Sequence, residues 1–167
     1  MGVVFMPKMI VSGLDELEAT IEKIGDHQDY IAKHAVYLGA GVIANAIKAE
    51  IKKIPEDHGR GNESHKLTGI TKTQKAGLES GLFISKMNSD AGTTYVTISF
   101  NGYNEVKTNS HPNGQPNILV AREVESGTSW MQKHPFIRTA INRVKSQAIK
   151  AMQAGVSEAV KELQGEK

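Results

Sequence analysis

Apolar side chains recur at helical spacing over two long stretches of this chain and alternate with polar ones over shorter stretches. In the first long stretch, residues 26–54, Ile31, Ala35, Leu38, Val42, Ala46 and Ala49 make one stripe, and Val36, Ala40, Ile43, Ile47 and Ile54 make a second. Asp26 can cap this helix, and Pro55 stops it because proline lacks an N–H and clashes with the preceding turn. A surface helix needs one apolar stripe. Two stripes predict a central core helix, with the second face a candidate subunit contact. The middle, residues 38–44, is uncharged and holds Gly39 and Gly41. Each helix-interior glycine costs about 0.5–1 kcal/mol relative to alanine, so a closely approaching backbone is the expected compensation.

The second long stretch starts at Pro135, which loses no hydrogen bond at the first position of a helix. Ile137, Ile141, Val144, Ala148, Met152, Val156, Val160 and Leu163 form its stripe, with Arg138, Arg143, Lys145, Lys150 and Lys161 largely off it. One face is therefore built to be covered.

Alternation dominates elsewhere. Residues 118–125 place Ile118, Val120 and Val124 on one side and Leu119, Ala121, Glu123 and Glu125 on the other, which predicts a half-buried strand. Residues 81–87 and 93–100 predict a hairpin across the turn-rich link 88–92. Residues 8–11 suggest a short strand. Ser12 and Asp15 then resemble a capping box for a short helix bearing Leu14, Leu17, Ile21 and Ile24 and closed by Gly25. Residues 67–80 are expected to form a short helix or turn, and residues 56–66 a polar loop. Residues 101–116 have no period, and loops of that length are usually functional or disordered. Ordering against a neighbouring subunit and an ordinary exposed hairpin tip are both open for it. Together these elements predict one α+β domain over residues 1–167: a small, mainly antiparallel sheet packed against a long helix in the N-terminal half and a long C-terminal helix.

Composition sharpens this outline at a few points. The aromatic share is 5%, so the core is expected to be aliphatic. No cysteine occurs, which removes disulfides, thiolate metal sites and a cysteine nucleophile from consideration. Residues 1–11, interrupted by Pro7 and Lys8, make a poor signal peptide. No run approaches the roughly 20 apolar residues that span a bilayer, so no membrane partner is expected. Twenty basic residues against 18 acidic ones leave a formal charge of +2. The two signs are interspersed along most of the chain, without the concentrated basic stripe of a nucleic-acid binder.

Candidate chemistry is sparse. His58 and His65, with Glu56, Asp57 and Glu63, could bind a metal, but their spacing matches no metal-ligand signature and a solvated loop is the preferred reading. Glu123 and Glu125 on one strand face could do acid–base work, with a solvent or interface face preferred. Gly39 and Gly41 lack the third glycine and the preceding strand of a dinucleotide fingerprint. No catalytic residue, cofactor or metal is assigned, and a non-enzyme is expected.

The run Glu125-Ser126-Gly127-Thr128-Ser129, followed by His134-Pro135-Phe136-Ile137-Arg138-Thr139-Ala140, resembles the E-x-G-T-S … P-F-[IL]-[RT]-P-A signature of tailed-phage head–tail joining and tail-completion proteins. Thr139 stands where that family commonly has a second proline. Val11-Ser12-Gly13-Leu14-Asp15-Glu16-Leu17 is similar to the family's G-L-[DK]-E-L opening, and Leu67-Thr68-Gly69 to its T-G-x-L segment, with Thr71 where leucine is usual. The resemblance implies a structural virion protein of the neck, assembled in the host cytoplasm and acting as a homo-oligomeric ring, a hexamer among the candidate stoichiometries. Its implied partners are other neck and tail-tube proteins. DNA passage through the ring is compatible with this, and sequence-specific nucleic-acid binding is not implied. A tail terminator capping the tube, or a soluble adaptor module without a virion role, are the alternatives; a hydrolase using the His/Glu loop has no positive signal. Candidate interface residues are Glu123, Glu125, Thr128, Trp130, Phe136 and Arg138, with the loop 101–116. Trp130, the single tryptophan, is expected to anchor the core or an interface.

Overall fold

The computed structural model describes residues 27–90 and 92–164; the strand and helix expected within residues 8–25 lie outside the described residues. The fold is α+β. In chain order the elements are α1 (Gln28–Ile51), α2 (Lys72–Gly81), β1 (Leu82–Ile84), β2 (Asn88–Asp90), β3 (Thr93–Tyr95), β4 (Ile98–Phe100), α3 (Asn117–Ser126) and α4 (Phe136–Gln164). No helix among the described residues is long and apolar enough to cross a membrane.

The chain divides into two compact units. The first takes its described residues from 27–42, 84–98 and 145–164. Here the first half of α1 packs against the second half of α4, around Ile31, Ala35, Val36, Ala40, Val96, Met152, Val156 and Ala159. Gly39 explains the close approach: a Cβ there would stand 2.5 Å from Met152 Cγ, well inside contact distance. The expected close approach is thus met at Gly39, by a side chain more than by backbone, whereas at Gly41 nothing would lie within 4 Å of a Cβ and the expectation fails. At the outer rim, the Tyr30 hydroxyl donates to Glu162 Oε2 at 2.7 Å, and His34 lies 3.6 Å from Glu158.

The two stripes expected on α1 resolve differently. Ile31, Ala35, Val36, Ala40, Ile43, Ala46, Ile47 and Ile51 are all buried, which makes one broad band. Leu38 and Ala49 from the first stripe are exposed, and Val42 is half-buried.

The hairpin is present but jointed. Bonds from Asn101 N–H to the Gly81 carbonyl and from Ser85 N–H to the Thr97 carbonyl bracket β1 and β4 in antiparallel register. Further out, β2 pairs with β3 as Asn88↔Tyr95, Ser89↔Thr94 and Asp90↔Thr93. Between Ser85 opposite Thr97 and Asn88 opposite Tyr95, Lys86 and Met87 on one side face Val96 alone. That mismatch of one residue is a bulge, and it splits the ladder into two short sheets. Most of the expected link, residues 88–92, therefore continues the hairpin as β2.

The second unit comprises Ile43–Phe83 and Ser99–Val144. Its core gathers Ile43, Ile47, Ile51, Ile54, Ile70, Leu78, Phe100, Val120, Val124, Met131, Phe136 and Ala140, all buried. Phe100 and Phe136 meet edge to face with centroids 6.1 Å apart, an arrangement that adds about 0.5–1.5 kcal/mol beyond area burial. The segment 67–80 resolves into α2, opened by Thr71. The Thr71 hydroxyl accepts the Gln74 N–H at 3.2 Å and the Gln74 side chain returns to the Thr71 N–H at 2.9 Å, a complete capping box. Threonine at position 71, where the resembled family usually has leucine, thus has a capping role.

One element differs outright from expectation. Residues 117–126 form the helix α3 in place of the strand expected over residues 118–125. Asn117, Val120, Ala121 and Val124 are buried, at helical spacing, while Ile118, assigned to the buried strand face, is 41% exposed. A stretch of eight residues with five apolar positions fits both periods, and the tie is broken by packing: α3 lies against α2.

Candidate interaction surface

The residues singled out from the sequence fall around one corner of the second unit, where α3 ends and α4 begins. Helix α3 stops because Gly127 turns the chain: its φ of 73° and ψ of 168° belong to a region that only glycine occupies readily. The Gly127 N–H closes on the Glu123 carbonyl at 2.8 Å. A Cβ at Gly127 would also stand 3.0 Å from both N and Cβ of Lys133, so space and conformation demand the same residue.

Beyond the turn, Thr128 binds twice. Its N–H donates to the Met131 carbonyl at 3.0 Å and its hydroxyl accepts the Trp130 N–H at 3.3 Å. This loop is stitched to the T-G segment by a parallel bridge, in which Leu67 N–H donates to the Trp130 carbonyl and Gln132 N–H to the Leu67 carbonyl, both at 2.9 Å. His134 then ties both ends: its N–H donates to the Val124 carbonyl at 2.7 Å, and its Nε2 lies 2.5 Å from the Thr68 carbonyl. A carbonyl only accepts, so Nε2 carries the proton.

Helix α4 starts without a capping side chain of its own, since neither His134 nor Pro135 offers a short hydroxyl or carboxylate. Glu125 supplies the cap from α3. Its Oε2 accepts the Ile137 N–H at 2.8 Å and its Oε1 the Arg138 N–H at 3.1 Å. Two of the free N–H groups of the first turn are satisfied, and the negative charge sits at the positive end of the helix dipole. Phe136 is buried in the core.

These positions correct several expectations. Because 118–125 is helical, Glu123 and Glu125 do not share a face. Glu125 is occupied as a cap, and Glu123 is half-buried, with burial pushing its carboxyl above the ordinary value against the opposing pull of Arg122. Phe136 and Glu125 are spoken for by the fold and are not available as free interface groups. Thr128 is half-buried and Trp130 likewise, while Arg138 is exposed.

The loop 101–116 contains no regular element, yet it is folded on itself. Tyr103 bridges Pro116, Asn104 N–H donates to the Gln115 carbonyl at 2.9 Å, and Gln115 N–H to the Val106 carbonyl at 3.0 Å. Two buried asparagines lock its base. The Asn117 side-chain amide donates to the Asn101 carbonyl at 2.8 Å, and the Asn104 amide donates to the Gln115 carbonyl at 3.1 Å. Gly77 of α2 admits them: a Cβ there would lie 2.5 Å from Asn117 Oδ1. From this braced base Tyr103 projects 70% exposed.

In the loop 56–66, Asp57 does structural work. It accepts the Gly59 and Thr68 N–H groups and the Thr68 hydroxyl, and these donors hold its carboxyl below the usual range. Among the described residues, no group of three or more His, Asp or Glu side chains is placed to hold a metal ion. A shallow recess of about 180 Å³ is lined by Glu50, Lys53, Ile54, His134, Pro135, Phe136 and Thr139. Glu50, 8% exposed, is paired with Lys53 at 2.8 Å and with Arg143, and these cations hold its carboxyl low against the opposing effect of burial.

The asparagine lock and the Glu125 cap escaped the sequence because their partners are remote. One signal pointed to the second: a proline-led helix with no local cap calls for a distant acceptor. No family model, curated protein or solved structure matches this chain.

Proposed function

We propose that this protein is a structural component of the neck of a tailed phage or phage-derived particle, completing the tail and helping to join it to the head as part of an oligomeric ring. The observation that carries the reading is the corner itself. The residues that resemble the tail-completion signature, Glu125, Gly127, Thr128, Pro135 and Phe136, each have a distinct part in one folded unit: cap, turn, loop anchor, helix start and core. The T-G segment is bonded to the same corner through Leu67 and Thr68. Two of the three islands of the resemblance thus meet in space, residues 11–17 lying outside the described residues, and that supports it better than scattered composition would. In this reading the ring is held by complementary surface, with the half-buried Trp130 and the projecting Tyr103 as contact groups.

Light scattering on the purified chain, at low and high concentration and with cognate tail tubes added, tests it. The expected result is a ring, or a monomer that associates with tube ends. A chain that stays monomeric and never associates with tubes contradicts the proposal and leaves the adaptor reading. If the chain instead halts tube growth when mixed with tube subunits, it is a terminator.

A further inference from the structure

Although the two signs of charge are interspersed over most of the chain, residues 126–157 contain Lys133, Arg138, Arg143, Lys145 and Lys150 and not one Asp or Glu. Four of these cations lie on α4, and all four are exposed. At about 100° per residue, Arg138 and Lys145 fall within about 20° of each other, and so do Arg143 and Lys150; the two pairs are about 140° apart around the helix. Ala140, Val144 and Ala148 are buried on the opposite side. Between the pairs stand Asn142 and Ser146, exposed, neutral and able to hydrogen-bond.

Available charge is what matters for a partner. Arg138, Lys145 and Lys150 have no carboxylate within ion-pair distance among the described residues. Arg143 is paired with Glu50, but Lys53 shares that same carboxylate, so the cluster keeps one uncompensated positive charge. The Glu125 carboxylate, which accepts the Arg138 N–H, is engaged by backbone N–H groups at the start of α4. Glu158, beyond the run, faces His34.

We infer that this face of α4 binds the phosphate backbone of duplex DNA without reading sequence. A helix is about 10–12 Å across with its side chains, close to the roughly 12 Å major groove. Cations along both flanks can therefore meet phosphates of both strands, with neutral polar groups between them. An acidic protein would satisfy the charge but does not call for two separated rows. The inference stands apart from the neck assignment, since binding by the isolated chain needs neither ring nor tube.

Fluorescence anisotropy with a labelled 30-base-pair duplex of arbitrary sequence, titrated between 50 and 200 mM salt, tests it on the full chain. Neutralising about four phosphates gives an expected log–log salt slope of about −3.6. The triple variant R138E/K145E/K150E leaves Arg143 and its pair with Glu50 intact. It is expected to weaken binding at least about tenfold and to flatten the slope, with circular dichroism unchanged. A control carrying K66E/K72E/K107E, three exposed lysines elsewhere, is expected to bind as the parent does. Absence of binding at 50 mM salt, an equal loss in the control, or binding of poly-glutamate as tight as that of DNA would each overturn the inference.

Discussion

Within the first unit, α1 and α4 meet through methyl groups and glycine. Ile31, Ala35, Ala40, Met152, Val156 and Ala159 bury one another, and Gly39 lets Met152 approach. Within the second unit, the corner from α3 to α4 and the loop base before α3 are held by named polar groups with specific partners: Glu125 on two N–H groups, His134 on Val124 and Thr68, Asn117 on Asn101. Aliphatic packing tolerates exchange of one apolar residue for another of similar volume. A cap or a turn does not, because a removed partner leaves a buried donor or acceptor unmatched. Residue identity should therefore matter more at the corner than along the helix pair.

Substitutions sharpen that contrast in order of size. Phe136→Ala removes the aromatic shared by core and corner and should cost about 3–5 kcal/mol, read as a large drop in the denaturant midpoint. Asn117→Ala leaves the Asn101 carbonyl without its donor beneath the loop base. It should cost about 2–3 kcal/mol, with amide hydrogen exchange across residues 101–116 speeding up as the loop loosens. Gly127→Ala forces a side chain into a glycine-only conformation against Lys133 and should cost about 2 kcal/mol. Glu125→Ala should cost about 1 kcal/mol, with Glu125→Gln intermediate because it keeps an acceptor but not the charge. By contrast, Ile31→Val in the helix pair should cost only about 0.5–1.5 kcal/mol. An Ile31→Val loss larger than that of Gly127→Ala would break the comparison.

The smallest expected effect is on pH dependence. Lys53 and Arg143 hold the Glu50 carboxyl below its ordinary value in the folded chain. A depressed folded pKa adds stability that is full above the unfolded value and is lost as pH falls through the folded one. Glu50→Gln should therefore flatten the acid limb of the stability–pH curve below about pH 4.5, checked by thermal melts from pH 7 to 3. A limb unchanged by the substitution would mean that the ion pairs do not contribute.

Helices α1 and α4 were legible to within a few residues, because their apolar periods run for many turns and Pro55 and Pro135 punctuate them. The antiparallel hairpin was legible too, though not its bulge, which depends on how Met87 and Val96 meet the core. Helix α3 was not. Its eight-residue apolar pattern satisfies both periods, and only the contact with α2 decides between them. The apolar pattern on α1 divides into two stripes because Leu38, Val42 and Ala49 are apolar by residue type, while burial follows the neighbours each position meets. At the corner, residue types were visible and roles were not: Glu125 finds its N–H partners across an intervening turn. The basic run on α4 was visible from the start, but charge averaged along the chain concealed it.

Residues 125–136 form one hydrogen-bonded corner, in which the Glu125 carboxylate holds the first turn of α4. Amide hydrogen exchange at Ile137 and Arg138 tests it most directly, comparing the parent chain with Glu125→Ala. Both amides should be protected in the parent and exchange much faster in the variant, while those of Ile43 and Ile47 in α1 keep their rates. If the Ile137 and Arg138 amides exchange in the parent as fast as those of an unstructured peptide, Glu125 does not cap α4, and the structural support for the neck reading is lost.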